Sequence, residues 1–186
     1  MQKDIDIIIY GATGFTGQLC VKYFQSLNTD VNWAIAGRDQ DKLQKVASDN
    51  SVDVEMLIAD SDDEVALDIL TSRAKVILST TGPFHRYGSK LVASCVKNSA
   101  NYVDITGENF WVKGLIAKHH EEASAKGIRI IPSCGYDSIP SDLGVFYSAK
   151  VLNKPIKRIE SFHSWEGGAS GGTLETMFSM GDLDLG

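Results

Sequence analysis

The sequence predicts an α/β fold in which a doubly wound parallel sheet carries helices on both faces and is followed by the start of a second α+β domain. Short apolar runs of strand length alternate with longer stretches of helical periodicity, which is typical of repeated β-α units. A glycine-rich turn joins the first apolar run to the first helical stretch. Because the apolar runs are nearly continuous, the strands are expected to be buried on both faces.

The elements follow one another in a regular order. Apolar runs bounded by turn-forming residues predict strands at residues 5–10, 32–37, 54–59, 75–79, 102–103 and 128–132. Helical periodicity predicts helices at residues 14–27, 40–48, 63–72, 89–98, 110–126 and 141–152. Acidic residues open the third helix, where the helix dipole favours them. The first helix has an apolar face that we expect to pack on the sheet, formed by Leu19, Cys20, Tyr23, Phe24 and Leu27.

The pattern changes after residue 152. The Asn-Lys-Pro segment at residues 153–155 breaks the last helix, and the alternating residues at 158–165 predict a strand of a different kind. A glycine-rich turn and a helix over residues 173–180 follow. Residues 1–152 are therefore expected to form one domain, and residues 153–186 to begin a second domain for substrate binding or dimerisation.

This second unit shows no closure before Gly186, so the sequence is expected to be the N-terminal part of a longer protein. An uncovered strand edge in the segment would pair with other chains, which predicts a homodimer or a tendency to aggregate. No apolar stretch approaches the roughly 18 residues of a membrane span, and the first residues lead directly into a predicted strand, so no signal peptide is expected. We expect a cytoplasmic protein that could associate with membrane or lipid only through residues beyond 186.

Composition excludes several functional classes. The chain has 24 acidic and 18 basic residues, a net charge of −6 and no long single-sign run, so a nucleic-acid partner is not expected. Its three cysteines are widely spaced and lack neighbouring ligands, which indicates a reducing compartment and no metal site. His119 and His120 are adjacent on a predicted helix and point in different directions, so both are expected at the surface.

Three glycines carry the first functional prediction. Gly11, Gly14 and Gly17 stand between the first strand and the first helix, where backbone N–H groups can bind a phosphate. Gly11 is expected to make the tight turn, Gly14 and the amides after it to hold the pyrophosphate, and Gly17 to let the helix approach the sheet. The intervening Thr13, Phe15 and Thr16 belong to the same turn. A Rossmann-type dinucleotide-binding domain is predicted, the alternative being a plain strand-to-helix turn.

The tip of the second strand selects the dinucleotide. Arg38 lies about 20 residues beyond Gly17, where a basic side chain would pair with the 2′-phosphate of NADP. NADP is therefore favoured over NAD. Asp39 leaves the NAD alternative open, because it could accept from a ribose hydroxyl or simply cap the next helix. Arg38 could also be a surface ion-pair residue.

Two further segments are expected to contact the cofactor. Asp60 and Ser61 end the third strand, where adenine lies in such folds, and Asp60 could accept from the adenine amine or cap the next helix. Thr80, Thr81, Gly82 and Pro83 follow the fourth strand, where the chain passes beneath the nicotinamide ribose, and backbone contacts are expected there.

Six ordered motifs resemble a known family. They are Tyr-Gly-Ala-Thr-Gly-Phe-Thr-Gly at residues 10–17, Ala-Gly-Arg-Asp at 36–39, Thr-Gly-Pro-Phe at 81–84, Tyr-Val-Asp-Ile-Thr-Gly-Glu at 102–108, Gly-Tyr-Asp-Ser-Ile-Pro-Ser-Asp at 135–142 and Gly-Gly-Thr at 171–173. The chain resembles the N-terminal portion of saccharopine dehydrogenase-like oxidoreductases, a family that includes trans-acting enoyl reductases of lipid biosynthesis. The resemblance implies an oxidoreductase, but it does not imply lysine metabolism.

Hydride transfer also needs a proton donor or acceptor near the nicotinamide. Five side chains are expected at the carboxyl edge of the sheet, namely His85, Tyr87, Tyr136, Asp137 and Ser138. Tyr136 and His85 are the first candidates, the alternatives being a packed tyrosine and a solvated histidine. Asp104 and Glu108 are expected to fix loops, although a paired acid could orient a base. Cys134 is expected to be a small buried thiol.

The glycine turn and Arg38 thus predict an NADP-binding domain, and the resemblance implies an oxidoreductase that acts on an unidentified small molecule of lipid-like or enoyl type. The alternative is a protein that binds the dinucleotide as a structural or redox-sensing ligand without turnover.

Overall fold

A computed structural model describes residues 3–27, 29–164, 166–168 and 170–181. Its strands are β1 Ile5–Tyr10, β2 Trp33–Gly37, β3 Glu55–Ile58, β4 Ala74–Ser79, β5 Asn101–Asp104 and β6 Ile130–Ile131. Its helices are α1 Phe15–Leu27, α2 Gln40–Asp49, α3 Glu64–Arg73, α4 Phe84–Tyr87, α5 Ser89–Lys97, α6 Asn109–Ala125, α7 Ile139–Leu152 and α8 Gly171–Gly181. Only α4, a single turn, was not predicted from the sequence.

The six strands form one parallel sheet in the order β3-β2-β1-β4-β5-β6. Strand order reverses between β1 and β4, which pair from Ile5 opposite Ala74 to Tyr10 opposite Ser79. In open α/β sheets, ligands bind outside the carboxyl ends of the strands at such a point. The predicted doubly wound fold is confirmed, and its topology places a ligand crevice beside the glycine turn.

Successive side chains of each strand point to opposite faces of the sheet and fill two separate cores. Ile8 and Ile77 lie in the larger core, with Leu67 of α3, Leu91 of α5 and Leu115 of α6. The other core, under α1 and α2, contains Ile9, Ile35, Val21 and Leu43. Both faces of the sheet are therefore buried, as the continuous apolar strands indicate.

The packed face of α1 differs from the prediction. Gly17 and Val21 are buried, Cys20 and Phe24 are half-buried, and Leu19, Tyr23 and Leu27 are exposed. The rotation of the helix follows from Gly17, since a Cβ there would lie 2.2 Å from the Gly11 carbonyl oxygen. The close contact between Gly17 and the Gly11 turn determines which face of α1 packs on the sheet. The most hydrophobic face of the helix is therefore not the packed one.

The predicted strand at residues 158–165 is wrong over 158–164, which are exposed and irregular, and Trp165 lies outside the described residues. An alternating pattern forms a strand only where another strand pairs with it, and nothing in the described part of the chain pairs with this segment. The predicted helix over residues 173–180 is present as α8, and α7 ends at Leu152 before Asn153, which has φ 45°.

Two side chains are buried differently from expectation. His119 is buried rather than at the surface, and burial lowers the pKa of its imidazole. Its helix α6 packs this face towards Ile128 and Ile130, which line the same groove as His119. Cys134 is only half-buried, because its loop follows the short edge strand β6.

None of the described helices combines the length and the apolar character needed to cross a lipid bilayer. The described residues also contain no group of three or more His, Cys, Asp or Glu side chains that could hold a metal ion.

Candidate dinucleotide site

A cleft of about 350 Å³ lies at the carboxyl edge of the sheet, across the point where strand order reverses. Most of the predicted cofactor residues line it. The lining residues are Tyr10, Gly11, Thr13, Gly14, Phe15, Thr16, Gly37, Arg38, Ser61, Thr80, Thr81, Gly82, Tyr87, Ser170, Gly172 and Glu175. The cleft therefore unites the ends of β1, β2, β3 and β4 with the start of α8.

Gly11 makes the turn after β1 in a conformation that only glycine adopts easily. Its φ is +84°, and a Cβ there would lie 2.2 Å from Thr81 Oγ1. The Gly11 amide donates to the Ala36 carbonyl at 2.9 Å, which ties the turn to β2. The turn is therefore held between the ends of β2 and β4, with its backbone at the floor of the cleft.

The start of α1 offers amide donors to the cleft. The Gly14 amide donates to the Gly11 carbonyl at 3.0 Å, so Gly14 itself is engaged in the turn, which differs from the predicted phosphate contact. The amides of Phe15, Thr16 and Gly17 belong to the first helical turn, where N–H groups lack intrahelical acceptors and the dipole favours anions. Gly17 is buried behind the cleft, where it allows the close helix approach that was predicted for it.

On the β2 side of the cleft, the structure distinguishes the roles of Arg38 and Asp39, which the sequence left open. Asp39 caps α2, because its Oδ1 accepts from the Lys42 amide at 3.0 Å and its Oδ2 pairs with Lys42 Nζ at 3.4 Å. These contacts lower the pKa of Asp39, and the backbone hydrogen bond from Lys42 contributes most. Arg38 is exposed and lines the cleft. A basic side chain therefore lies where a residue that binds the 2′-phosphate is expected.

At the end of β3, Ser61 lines the cleft and Asp60 does not. Asp60 Oδ1 accepts from the Asp62 amide at 2.9 Å, so this carboxylate stabilises the turn before α3. Asp63 then caps α3, since its Oδ1 accepts from the amides of Val65 and Ala66. The geometry supports a turn-forming role for Asp60 and makes Ser61 the nearer candidate for an adenine contact.

Thr80 and Thr81 lie beside the glycine turn on the β4 side. The Thr80 amide donates to the Tyr10 carbonyl at 2.9 Å, and its hydroxyl lies 3.2 Å from the carbonyl oxygens of Tyr10 and Gly11. Thr81 Oγ1 is buried and has no hydrogen-bond partner within the described residues. Buried hydroxyls are normally bonded, so this atom is available to a ligand of the cleft. Pro83 lies just outside the lining.

Beyond Pro83, the turn of α4 is fixed by a carboxylate from another loop. Glu108 Oε1 accepts from the Phe84 amide at 2.8 Å, and Glu108 Oε2 accepts from the His85 amide at 2.7 Å. Glu108 Oε2 also lies 2.7 Å from His85 Nδ1, and the two side chains are 1% and 12% exposed. The structure thus pairs a predicted proton-transfer candidate with one of the acids expected to fix loops.

The other candidates from the sixth strand lie further out. Tyr136 is 84% exposed and does not line the cleft. The carboxylate of Asp137 approaches Gly107 and Gly135, where added Cβ atoms would lie 3.9 and 2.8 Å from its oxygens. Ser138 precedes α7, and its amide donates to the Gly135 carbonyl at 3.2 Å. None of these three side chains lies in the cleft wall, and His85 does not line it either.

Asp104 is a buried carboxylate that holds the loops after β5 and β6. Its Oδ1 accepts from the amides of Thr106 and Ser133, and its Oδ2 lies 2.9 Å from the Tyr102 hydroxyl. Burial raises the pKa of Asp104 against these hydrogen bonds, and burial also raises the pKa of Tyr102. The pKa of the Cys134 thiol is raised, chiefly by burial, so Cys134 is a poor nucleophile at neutral pH.

Sequence reasoning missed the contribution of Tyr87 and of α8 to the cleft. Tyr87 was one of the five side chains expected at the sheet edge, but it was not a first candidate for proton transfer. The short helix α4 places it in the wall of the cleft. Ser170 caps α8, because its Oγ accepts from the Thr173 amide at 3.2 Å. The Gly-Gly-Thr motif at residues 171–173 was the feature of the sequence that could have indicated a second helix beginning at the cleft.

The fold and the cleft define this chain as a dinucleotide-binding Rossmann domain. A family model for the saccharopine dehydrogenase NADP-binding domain matches residues 7–131, which covers every strand of the sheet from within β1 to β6. The chain belongs to this family, and its domain is an NADP-binding domain. The prediction of NADP is thereby confirmed at the level of the family.

Several named proteins are similar to this chain. A trans-acting enoyl reductase from Mycobacterium leprae is 39% identical over 148 residues, which cover 78% of this chain and 35% of that protein. A human saccharopine dehydrogenase-like oxidoreductase is 34% identical over 185 residues, which cover 91% of this chain and 43% of that protein. The chain therefore spans less than half the length of these relatives.

Among solved structures, apo saccharopine dehydrogenase (L-Glu forming) from Saccharomyces cerevisiae matches with a TM-score of 0.65 at 19% identity. The match covers 80% of this chain and 31% of that chain. At this identity the likeness supports the fold alone.

Proposed function

We propose that this protein is an NADP-dependent oxidoreductase that transfers a hydride between NADPH and a small-molecule substrate of lipid-like or enoyl type. The names of the curated relatives support the reaction class, and the enoyl reductase among them supports the substrate type. The observation that carries the proposal is that one cleft holds the glycine turn, Arg38 on the β2 side and Thr80–Gly82 on the β4 side.

The chain's residues fit NADP along the length of this cleft. We propose that Arg38 pairs with the 2′-phosphate, that the amides of Phe15 and Thr16 bind the pyrophosphate, and that the β4 loop contacts the nicotinamide ribose. Gly11, Thr13, Gly14 and Gly17 shape the turn that makes this approach possible. Bound NADPH would supply the hydride, and the protein would orient it and provide the proton.

His85 and Tyr136 are the proposed proton-transfer groups, and the geometry supports His85 more strongly. Both Glu108 oxygens accept backbone N–H groups, so the hydrogen shared with His85 belongs on Nδ1. Nε2 is then the nitrogen that can exchange a proton. Neither side chain lines the cleft: Tyr136 is exposed beyond it, whereas His85 lies two residues from Tyr87, on the turn that carries Tyr87 into the wall.

We further propose that residues 1–152 hold the cofactor and that residues 153–186 begin the unit that binds substrate. The start of α8 supports this division, because Ser170, Gly172 and Glu175 line the same cleft as the glycine turn. Homodimerisation through the second unit and a cytoplasmic location belong to the same proposal.

The test is a panel of enoyl thioesters, imines and ketones incubated with the protein and NADPH. Oxidation of NADPH by one member, followed at 340 nm and lost in a variant that no longer binds NADP, is the expected result. If NADPH binds tightly but no member of a broad panel oxidises it, the hydride-transfer proposal fails and a redox-sensing role is favoured. Parallel incubations with NADH test whether the protein prefers the same cofactor in turnover as it does in binding.

A further inference from the structure

The one-turn helix α4 connects the cofactor cleft to the buried loop before α6. It begins directly after the Thr80–Pro83 segment, and its last residue, Tyr87, lines the cleft on the β4 side. Tyr10, the other tyrosine of the wall, directs its hydroxyl to the Ala59 carbonyl at 3.3 Å. No hydrogen bond occupies the Tyr87 hydroxyl among the described residues, which leaves it available to a bound ligand.

Glu108 anchors the first half of α4. Its two carboxylate oxygens accept from the amides of Phe84 and His85, and from His85 Nδ1, at 2.7–2.8 Å. The Glu108 amide in turn donates to Thr106 Oγ1 at 3.1 Å. Because Glu108 is 1% exposed, water cannot replace these contacts, and removing the carboxylate would leave buried donors without acceptors.

Trp111 anchors the other end of α4. A Cβ on Gly88 would lie 2.6 Å from Trp111 Cζ2 and 2.8 Å from the Phe84 carbonyl oxygen, so the tryptophan ring lies flush against this backbone. The rings of Trp111 and Phe84 are 5.9 Å apart, and Trp111 Nε1 donates to Ser89 Oγ at 2.9 Å. The start of α6 therefore holds α4 at both ends.

We infer that Tyr87 forms the wall of the nicotinamide subsite and contacts the nicotinamide riboside of bound NADP, and that Glu108 is the positioning residue that keeps it there. The first three strands provide the adenosine half of a Rossmann site, so the β4 side that Tyr87 shares with Thr81 belongs to the nicotinamide half. The inference rests on the proposed placement of the cofactor in the cleft, but it does not require turnover.

Calorimetry with two ligands tests this placement. NADP spans both halves of the site, whereas adenosine 2′,5′-bisphosphate carries only the half that Arg38 would bind. Tyr87→Ala should weaken NADP binding about tenfold and leave adenosine 2′,5′-bisphosphate unchanged. Arg38→Ala should weaken both ligands and serves as the matched control. If Tyr87→Ala changes NADP affinity less than twofold, or weakens both ligands equally, the placement of Tyr87 is wrong.

Glu108→Gln tests the positioning role, because the amide keeps the size of the side chain but places an N–H₂ group against a backbone donor. NADP affinity should fall as in Tyr87→Ala, and the double variant should be little weaker than either single variant, since both act on one contact. Glu122→Gln, an exposed change on the helix that follows Glu108, should leave NADP affinity unchanged. Where Glu108→Gln does not fold, Glu108→Asp takes its place.

A merely structural role for Glu108 would give a different result. The variant would lose thermal stability but bind both ligands as the parent does, or it would add its full effect to Tyr87→Ala. Either outcome overturns the positioning role. Failure of the hydride-transfer proposal would appear only in the substrate panel and would leave these binding results unchanged.

Discussion

Glu108 Oε2 lies 2.7 Å from both the amide nitrogen and Nδ1 of His85, so one buried carboxylate oxygen fixes the backbone and the ring of the same residue. The two residues are 23 positions apart, and the pairing of β4 with β5 brings their loops together. A ring held in this way has a defined orientation, and among the described residues its Nε2 has no hydrogen-bond partner, so this nitrogen could take part in proton transfer.

His85→Asn is expected to lower kcat by about 10²–10⁴-fold on any substrate that oxidises NADPH. The asparagine amide can replace Nδ1 as donor to Glu108 but offers nothing in place of Nε2. NADP affinity and thermal stability should therefore stay near the parental values. Tyr136→Phe, made in parallel, should lower kcat less than tenfold if His85 transfers the proton. The reverse order of effects would assign that role to Tyr136.

Arg38→Ala is expected to weaken NADP binding about 10–100-fold, because a guanidinium binds a phosphate through charge-assisted hydrogen bonds. NAD, which lacks the 2′-phosphate, should bind the variant and the parent alike. Lys42→Ala removes an exposed charge nearby that does not line the cleft and should leave both affinities unchanged. Titration calorimetry measures the affinities of all three proteins for both cofactors, and an unchanged NADP affinity in Arg38→Ala would contradict the role of Arg38.

Much of this site could be predicted because its signals are local. Gly11 and Gly17 stand at fixed distances from the end of β1, and the structure shows the turn and the close approach that require glycine at each. Arg38 follows β2 at the interval that the fold imposes. Spacing along the chain was sufficient for these residues, since the first βα unit positions them.

The remaining features depend on contacts between distant segments. Glu108 contacts α4 only because β4 and β5 pair, so its position in the sequence does not indicate which residues it contacts. The packed face of α1 follows from a contact at Gly17 rather than from hydrophobicity. An alternating pattern at residues 158–165 predicted a strand, but strand formation needs a neighbour that the pattern cannot supply.

Gly17→Ala and Gly114→Ala place the same methyl group on two helices and should have opposite effects. At Gly17 the Cβ would lie 2.2 Å from the Gly11 carbonyl oxygen, and backbone cannot yield, so we expect a loss of about 1–3 kcal/mol in the free energy of unfolding. At Gly114, within α6, no atom lies within 4 Å, so we expect a gain of about 0.5–1 kcal/mol. Urea unfolding measures both, and a neutral Gly17→Ala would contradict the close approach.

Thr81→Val removes a buried hydroxyl that has no partner among the described residues and keeps the shape of the side chain. The free protein should be unchanged or more stable by about 1 kcal/mol, whereas NADP should bind at least about fivefold more weakly. Ser79→Ala is the matched control, because Ser79 Oγ is likewise a buried hydroxyl but lies outside the cleft wall. Equal NADP affinities in both variants would show that Thr81 makes no hydrogen bond to the cofactor.

Asp104→Asn tests the cost of ionising a buried carboxylate. Because burial raises the pKa of Asp104 in the folded protein above its unfolded value, the protonated form is favoured on folding. The stability contributed by Asp104 is therefore fully present below the unfolded pKa and is lost as pH rises through the folded pKa. Asparagine does not titrate, so the free energy of unfolding of the variant should rise relative to that of the parent as pH increases above the unfolded pKa of about 4.

The hydrogen bonds around residue 104 should survive this substitution. The amides of Thr106 and Ser133 donate to Oδ1, which asparagine retains. In the parent the Tyr102 hydroxyl donates to Oδ2, and in the variant the Nδ2 group can donate to the oxygen of that hydroxyl. Unfolding in urea at several pH values measures the difference between variant and parent. A difference that shrinks as pH rises would mean that the folded protein favours ionised Asp104, because its three hydrogen bonds then outweigh its burial.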